Sequence, residues 1–139
     1  SASYLTRPGT VLRIGNIEWR RYLDALATPT WDKRDVTPDT GWVEGDRNGG
    51  WKWGFFMVKR VGPTVWGRLS ATRGVGWSAG NAIGTLPVGF RPEDETWAVN
   101  LWGGSGRGFE IKPSGLITAD MDSAGNTGVT LAFTFPAKN

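Results

Sequence analysis

Two short acidic stretches hold the residues of this sequence with the greatest capacity for chemistry: Asp120 with Asp122, and Glu93-Asp94-Glu95. Most glycosidases use two carboxylates, one on each side of the bond that is cut. Carboxylates that are neighbours on one turn seldom reach that arrangement. These stretches therefore do not predict a hydrolase.

Two further stretches resemble ligand-binding loops but depart from them. Residues 120–125 (DMDSAG) begin like a calcium loop, yet the fifth position is Ala124 and no glutamate closes the loop. The glycine-rich run at 103–108 (GGSGRG) lacks the Gly-Lys-Ser/Thr of a phosphate loop, which favours a surface loop. We therefore expect no bound metal and no cofactor.

The residue types that are missing exclude most other catalysis. The 139 residues include no His and no Cys, which excludes a Ser-His-Asp triad, a thiolate nucleophile, a His or Cys metal site and a disulfide. We expect no enzymatic turnover. The formal charge is only +3 and the basic residues are dispersed, so nucleic-acid binding is not expected. No apolar run approaches the length of a membrane span, so membrane insertion is not expected either.

Alternating side chains predict that β-strands position these residues. The clearest strand is Val129–Phe135, where every second residue is Val, Leu or Phe. Alternation also runs through Trp51–Arg60, Val65–Thr72 and Thr96–Trp102, and the turn at Lys112–Gly115 predicts a hairpin. With 21 Gly and 8 Pro available for turns, the chain is predicted to be all-β, a jelly-roll-like sandwich or barrel.

Nine tryptophans are many for one small core. Trp51 and Trp53 share one face of their predicted strand, and we expect them to be buried. The opposite face is also apolar at Phe56 and Val58, so a second sheet or a neighbouring subunit is expected to cover it. Trp66 falls on the polar face of the next strand, where burial in a core is a weaker explanation.

The N-terminal part carries two competing patterns. Helical spacing is found at Trp19, Tyr22, Leu23 and Leu26. The hairpin dipeptide Gly15-Asn16 lies in a stretch that is partly repeated at 58–66, and we expect a hairpin over residues 11–23.

Residues 28–41 are rich in Thr, Pro and Asp and are predicted to be a connector anchored by Trp31. The predicted domains are therefore 1–40, a hairpin and connector, and 41–139, the sandwich. Because the chain starts at Ser1 without a methionine, we expect it to be an excised fragment.

Four stretches in order resemble the C-terminal head domains of receptor-binding proteins and tail fibres of tailed phages: FFMVKRVGPTVWGRLSA, IGTLPVGFRP, GFEIKPSGLITA and VTLAFTFP. Lactococcal siphophage heads and tail-protein modules of actinobacterial phages are the relatives that this resemblance suggests. It covers roughly residues 40–139, and Thr85–Pro92 and Ile111–Ile117 carry most of it.

The resemblance implies a homotrimer of jelly-roll-like heads in the virion, at the tail tip or baseplate, joined to the rest of the tail through its N-terminal side. The implied partner is a saccharide of the host cell wall. Binding residues of the lactococcal heads include a His, which this sequence lacks, so no binding residue is carried over. Two alternatives stay open: a carbohydrate-binding module of a secreted bacterial enzyme, and a purely structural virion domain.

A saccharide site needs a flat aromatic face and a few fixed polar groups. We expect it near the loops at 102–108 and 119–128, with six candidate ligand-binding residues: Asn100, Trp102, Arg107, Asp120, Asp122 and Trp77. The alternative is that Trp102 and Trp77 only close the ends of the barrel. Trp66 is the next candidate.

Overall fold

The computed structural model describes residues 10–23, 29–102, 108–125 and 128–138. These residues contain no α-helix, which confirms the predicted all-β fold. Within the same ranges, no helix is long and apolar enough to cross a membrane. The strands are β1 (Val11–Ile14), β2 (Ile17–Leu23), β3 (Pro29–Asp35), β4 (Val43–Glu44), β5 (Asp46–Arg47), β6 (Lys52–Val61), β7 (Thr64–Thr72), β8 (Ala82–Thr85), β9 (Thr96–Val99), β10 (Gly108–Ile111), β11 (Leu116–Ala119) and β12 (Gly128–Pro136).

The chain divides into two compact units, Ser1–Pro38 and Asp39–Asn139. In the first unit, β1, β2 and β3 form an antiparallel sheet in that order. The hairpin predicted over residues 11–23 is present as β1 and β2, and its turn holds Gly15 at a φ of 58°. Glycine adopts this left-handed conformation without strain, so the local turn residues prevail over the helical spacing.

The segment predicted as a connector contains a strand, which corrects that prediction. Strand β3 pairs with β2 along its whole length. The pairing is supported by side chains: Lys33 Nζ lies 5.7 Å from the centre of the Trp19 ring, and Arg34 donates to Glu18 at 3.3 Å. Such cross-strand pairs stabilise a sheet even where its strands lack an alternating apolar pattern. The polar composition of residues 28–41 is therefore compatible with a strand.

The second unit is a sandwich of two antiparallel sheets, in agreement with the predicted architecture. One sheet has the order β12-β7-β6-β4, and the other has the order β5-β8-β11-β10-β9. Side chains from both sheets meet in one hydrophobic core, whose largest fully buried apolar members are Phe56, Phe109, Leu69, Ile83, Leu86, Ile111, Ile117 and Leu131.

The predicted alternation is confirmed in β7 and β12. Val65 and Leu69 of β7 are fully buried, whereas Trp66 and Arg68 between them are exposed. In β12, four buried side chains face the core: Val129, Leu131, Phe133 and Phe135. The two strands pair in unbroken register, so the outward side chains of both form one continuous surface.

Strand β6 departs from strict alternation at Gly54. Its pairing with β7 shifts register between Trp53 and Phe55, which is a β-bulge. Trp51 and Trp53, before the bulge, are half-buried and pack against the core. Phe55, just after it, is exposed, and Phe56 is fully buried under the second sheet. The bulge lets both Trp53 and Phe56 pack on the core side, whereas Phe55 stays on the outer face.

The predicted hairpin turn joins β10 to β11. Gly115 N–H donates to Lys112 O at 2.7 Å, and Lys112 N–H donates to Leu116 O at 3.0 Å. Gly115 has a φ of 90°, which only glycine adopts readily. This prediction is confirmed.

Gly67 of β7 is expected to be intolerant of any side chain. A methyl group at this position would overlap the ring of Phe133. Gly67→Ala should lower the free energy of unfolding by roughly 1–3 kcal/mol, because an overpacked core must shift its neighbours. Chemical denaturation measures the effect, and Gly74→Ala is the matched control because nothing lies within 4 Å of a Cβ there. Equal stability of the two variants would contradict this packing.

Candidate functional site

Trp77 is a core residue, contrary to its prediction as a ligand. Its side chain is 5% exposed, and its ring lies 5.7 Å, centre to centre, from both Trp51 and Phe109. A buried indole that packs against two other rings has no free face for a sugar. For Trp77, the structure supports the alternative that it closes one end of the core.

Asn100 is also structural, contrary to its prediction as a ligand. Its side chain is 1% exposed. Its Oδ1 accepts from the N–H groups of Trp102 and Thr130, both at 3.0 Å, and its Nδ2 donates to Gly128 O at 3.0 Å. These bonds fasten the end of β9 to β12. Strand β9 ends at Val99, so the alternation that put Asn100 and Trp102 on one face does not extend to them.

Trp102 remains an accessible candidate. Its side chain is partly exposed, and the indole packs over Gly128, where a methyl group would overlap it. Arg107 lies outside the described residues.

The two aspartates belong to a pair of loops that are fastened together. Asp122 Oδ1 accepts from Ala79 N–H at 2.7 Å, and Trp77 and Ser123 exchange two backbone hydrogen bonds. Both aspartates are exposed. Within the described ranges, no group of three or more acidic, His or Cys residues is arranged to hold a metal ion. Asp122 therefore has a loop-fixing role, and the polar side chain of Asp120 stays accessible.

A shallow groove lies elsewhere, on the outer surface of the β12-β7-β6-β4 sheet. Trp66 and Arg68 of β7 point outwards and stand opposite Thr134 and Ala132 of β12. Large side chains on one strand beside small ones on the next leave a depression of about 400 Å³. Trp42, which precedes β4, supplies part of the wall. Trp66 is 46% exposed, so part of its indole ring is accessible to a ligand.

Cation–π contacts restrain the side chains of this surface. The Arg68 guanidinium lies 5.0 Å from the centre of the Trp42 ring and 5.6 Å from that of Phe55. Lys59 Nζ lies 4.9 Å from the Trp42 ring. Each cation is attracted by the electron-rich ring face. Arg68 and Trp42 therefore restrain each other before any ligand binds.

The described lining of the groove is aromatic, basic and hydroxylated: Trp42, Trp66, Gly67, Arg68, Ala132, Phe133 and Thr134. This described lining includes no carboxylate. An indole face, a guanidinium and a hydroxyl are suited to stack on a ring and to bond its hydroxyl groups.

The sequence indicates this surface only in part. Trp66 is a secondary candidate because it lies on the polar face of its strand. The sequence does not single out Trp42, Arg68 or Thr134. Thr134 and Ala132 are small residues on the outward face of a regular strand, and this feature could have indicated a depression at β12. The local sequence does not show which strand lies beside β12.

No protein-family model matches the chain, and no curated protein matches it. Relatives therefore assign no role to any of these residues.

Asn100 is expected to contribute to stability rather than to binding. Asn100→Ala removes a buried acceptor and leaves the N–H groups of Trp102 and Thr130 unpaired, which should cost roughly 1–3 kcal/mol of unfolding free energy. Urea denaturation followed by tryptophan fluorescence measures it. Asp120→Ala is the control, since this side chain is exposed, and it should change stability little. Unchanged stability of Asn100→Ala would contradict the fastening role.

Proposed function

We propose that the second unit is a non-catalytic saccharide-binding head, and that the sugar lies in the groove between Trp66, Arg68 and Thr134. The single observation that carries the proposal is the exposed indole of Trp66 beside a restrained guanidinium, in a groove whose described lining includes no carboxylate. The groove is open and shallow, as suits part of a polymer on a cell surface. This differs from the deep pocket typical of a small enclosed ligand.

The stacking face would supply most of the binding energy. The apolar side of a pyranose ring covers an indole as another flat apolar group does, and both lose contact with water. Arg68 and the Thr134 hydroxyl would add directional hydrogen bonds to ring hydroxyls. Because Arg68 already stacks on Trp42 and Phe55, little of its freedom remains to be lost on binding.

The biological setting that we propose is the tail tip or baseplate of a phage virion. The four stretches that resemble phage receptor-binding heads support it, and the all-β sandwich agrees with that class. The partner would be a glycan of the host cell wall, and the N-terminal side would join the rest of the tail. A carbohydrate-binding module of a secreted enzyme would use the same groove, and the oligomeric state separates the two.

An apolar strip that runs along β9 and just past its end favours an oligomer. Trp97, Val99 and Leu101 point away from the core and are 56%, 57% and 62% exposed. Exposed apolar side chains in a row commonly mark an interface between proteins. Together with the resemblance, this strip supports a homotrimer, in which the closed ring of copies would cover it.

Trp66→Ala is expected to weaken binding to purified host cell walls by roughly 1–3 kcal/mol, the range for removal of one buried large side chain. A cell-wall pull-down or a glycan array measures it, after thermal unfolding has shown that the variant is folded. Trp102→Ala is the comparison, because it tests the loops predicted from the sequence. Full binding by Trp66→Ala with loss in Trp102→Ala would reject the groove and favour the loops.

The whole chain is expected to be a trimer at micromolar concentration, measured by multi-angle light scattering. Replacement of Trp97 and Leu101 by Ser together should shift it towards monomer, because the apolar strip is lost. A monomeric parent would count against the virion head and favour the binding module. A trimeric double variant would show that another surface carries the association.

A further inference from the structure

Asn48 and Gly49 form an unusually reactive pair in the turn between β5 and β6. Asn48 is the only asparagine in the sequence that is followed by glycine. Gly49 and Gly50 make the turn, and Gly50 has a φ of 84°. The pair lies outside the lining of the groove, so a reaction at this turn is independent of the proposed function.

Asparagine before glycine can lose its side-chain amide without an enzyme. The backbone nitrogen of Gly49 loses its proton and attacks Cγ of Asn48, and the new C–N bond closes a five-membered succinimide. The bond from Cγ to Nδ2 breaks, and the side-chain nitrogen takes up a proton and leaves as ammonia. Water then opens the ring at one of its two carbonyls. Opening gives aspartate or isoaspartate, and the net change is the addition of one water and the loss of one ammonia. Glycine favours the attack because it has no Cβ to hinder the nitrogen and permits the required backbone rotation.

On the Gly49 side, the structure leaves this attack unhindered. Gly49 is exposed, and nothing lies within 4 Å of a Cβ at its position. In the described part of the chain its N–H donates no hydrogen bond, so the nucleophile is free. Among the residues that the structure describes, the half-buried Asn48 carboxamide is held only by a long bond of 3.4 Å from Nδ2 to Ala82 O.

We propose that Asn48 is a modification site, at which spontaneous deamidation to aspartate and isoaspartate loosens the corner of the sandwich around Trp53. The backbone of Asn48 ties this corner together. Its O accepts from Trp53 Nε1 at 3.1 Å, and its N–H donates to Ile83 O at 3.2 Å.

Either product disturbs these contacts. Isoaspartate inserts a methylene group into the main chain and so displaces the carbonyl that holds Trp53. Aspartate places a negative charge where Nδ2 donated to Ala82 O, and two acceptors then face each other. Trp53 stacks on Phe56 with 5.5 Å between ring centres, so the disturbance reaches the core.

The test is incubation of the whole folded chain at mildly alkaline pH, with peptide mapping by mass spectrometry and an isoaspartate assay at intervals. The matched variant is Gly49→Ala, which the structure tolerates because the Cβ has open space and the backbone is not left-handed. Asn16, Asn81 and Asn100 serve as internal references in the same digest.

We expect the parent to accumulate deamidated peptide at position 48 and to leave the references as amides, and we expect Gly49→Ala to lose this product. If Asn48 stays an amide in the folded parent while the urea-unfolded chain deamidates, the folded turn protects it and the proposal is overturned. An equal rate in Gly49→Ala would overturn the assigned role of Gly49.

The structural consequence has its own readout. Hydrogen exchange over residues 51–58 should become faster in the aged parent and stay unchanged in the aged Gly49→Ala chain. Asn48→Asp should reproduce only the part of the change that is due to charge. Unchanged exchange in a parent that has demonstrably deamidated would overturn the link to Trp53.

Discussion

The packing of the Phe56 ring against two glycines sets the distance between the sheets of the sandwich. A methyl group on Gly45 would overlap this ring, and one on Gly84 would lie 2.7 Å from it. Gly45 stands where the chain passes from β4 of one sheet to β5 of the other, and Gly84 lies on β8. Trp53 covers a face of the same ring, at 12° to its plane. A close-packed interior transmits such contacts, so a shift of this ring would disturb its neighbours in the core.

Buried polar side chains connect separate chain segments at the edges of this core. Arg60 is 5% exposed, and it donates to the carbonyls of Gly62 at 2.8 Å, Gly89 at 3.1 Å and Lys138 at 3.4 Å. A buried guanidinium is tolerated only when such acceptors surround it. Its bonds hold three separate segments together, including the C-terminal end of the described chain. The hydrogen bonds of Asn100 likewise link the end of β9 to β12.

The groove on the outer surface and the packing of the core both follow from the regular pairing of β7 with β12. Gly67 gives the Phe133 ring its space inside, and the unbroken register of β7 with β12 then puts Trp66 beside Thr134 outside. The groove has depth because the outward side chains of β7 are larger than those of β12 beside them. A paired sheet thus presents the indole of Trp66 and the guanidinium of Arg68 at a fixed spacing, and the proposed recognition of a sugar ring would depend on that spacing.

The amino-acid sequence by itself determined the all-β class, the alternation in β7 and β12, the turn at Lys112–Gly115 and the exclusion of His and Cys chemistry. These are local or compositional properties, and side-chain period and turn residues express them directly. Only the tertiary structure decided that Gly54 is a bulge, that Trp77 and Asn100 are buried, and that a groove forms beside Trp66. Each of these depends on which distant segments become neighbours: Ser123 for Trp77, Gly128 and Thr130 for Asn100, and Thr134 for Trp66. Strand register across the sheets sets those pairings, and no local pattern encodes it.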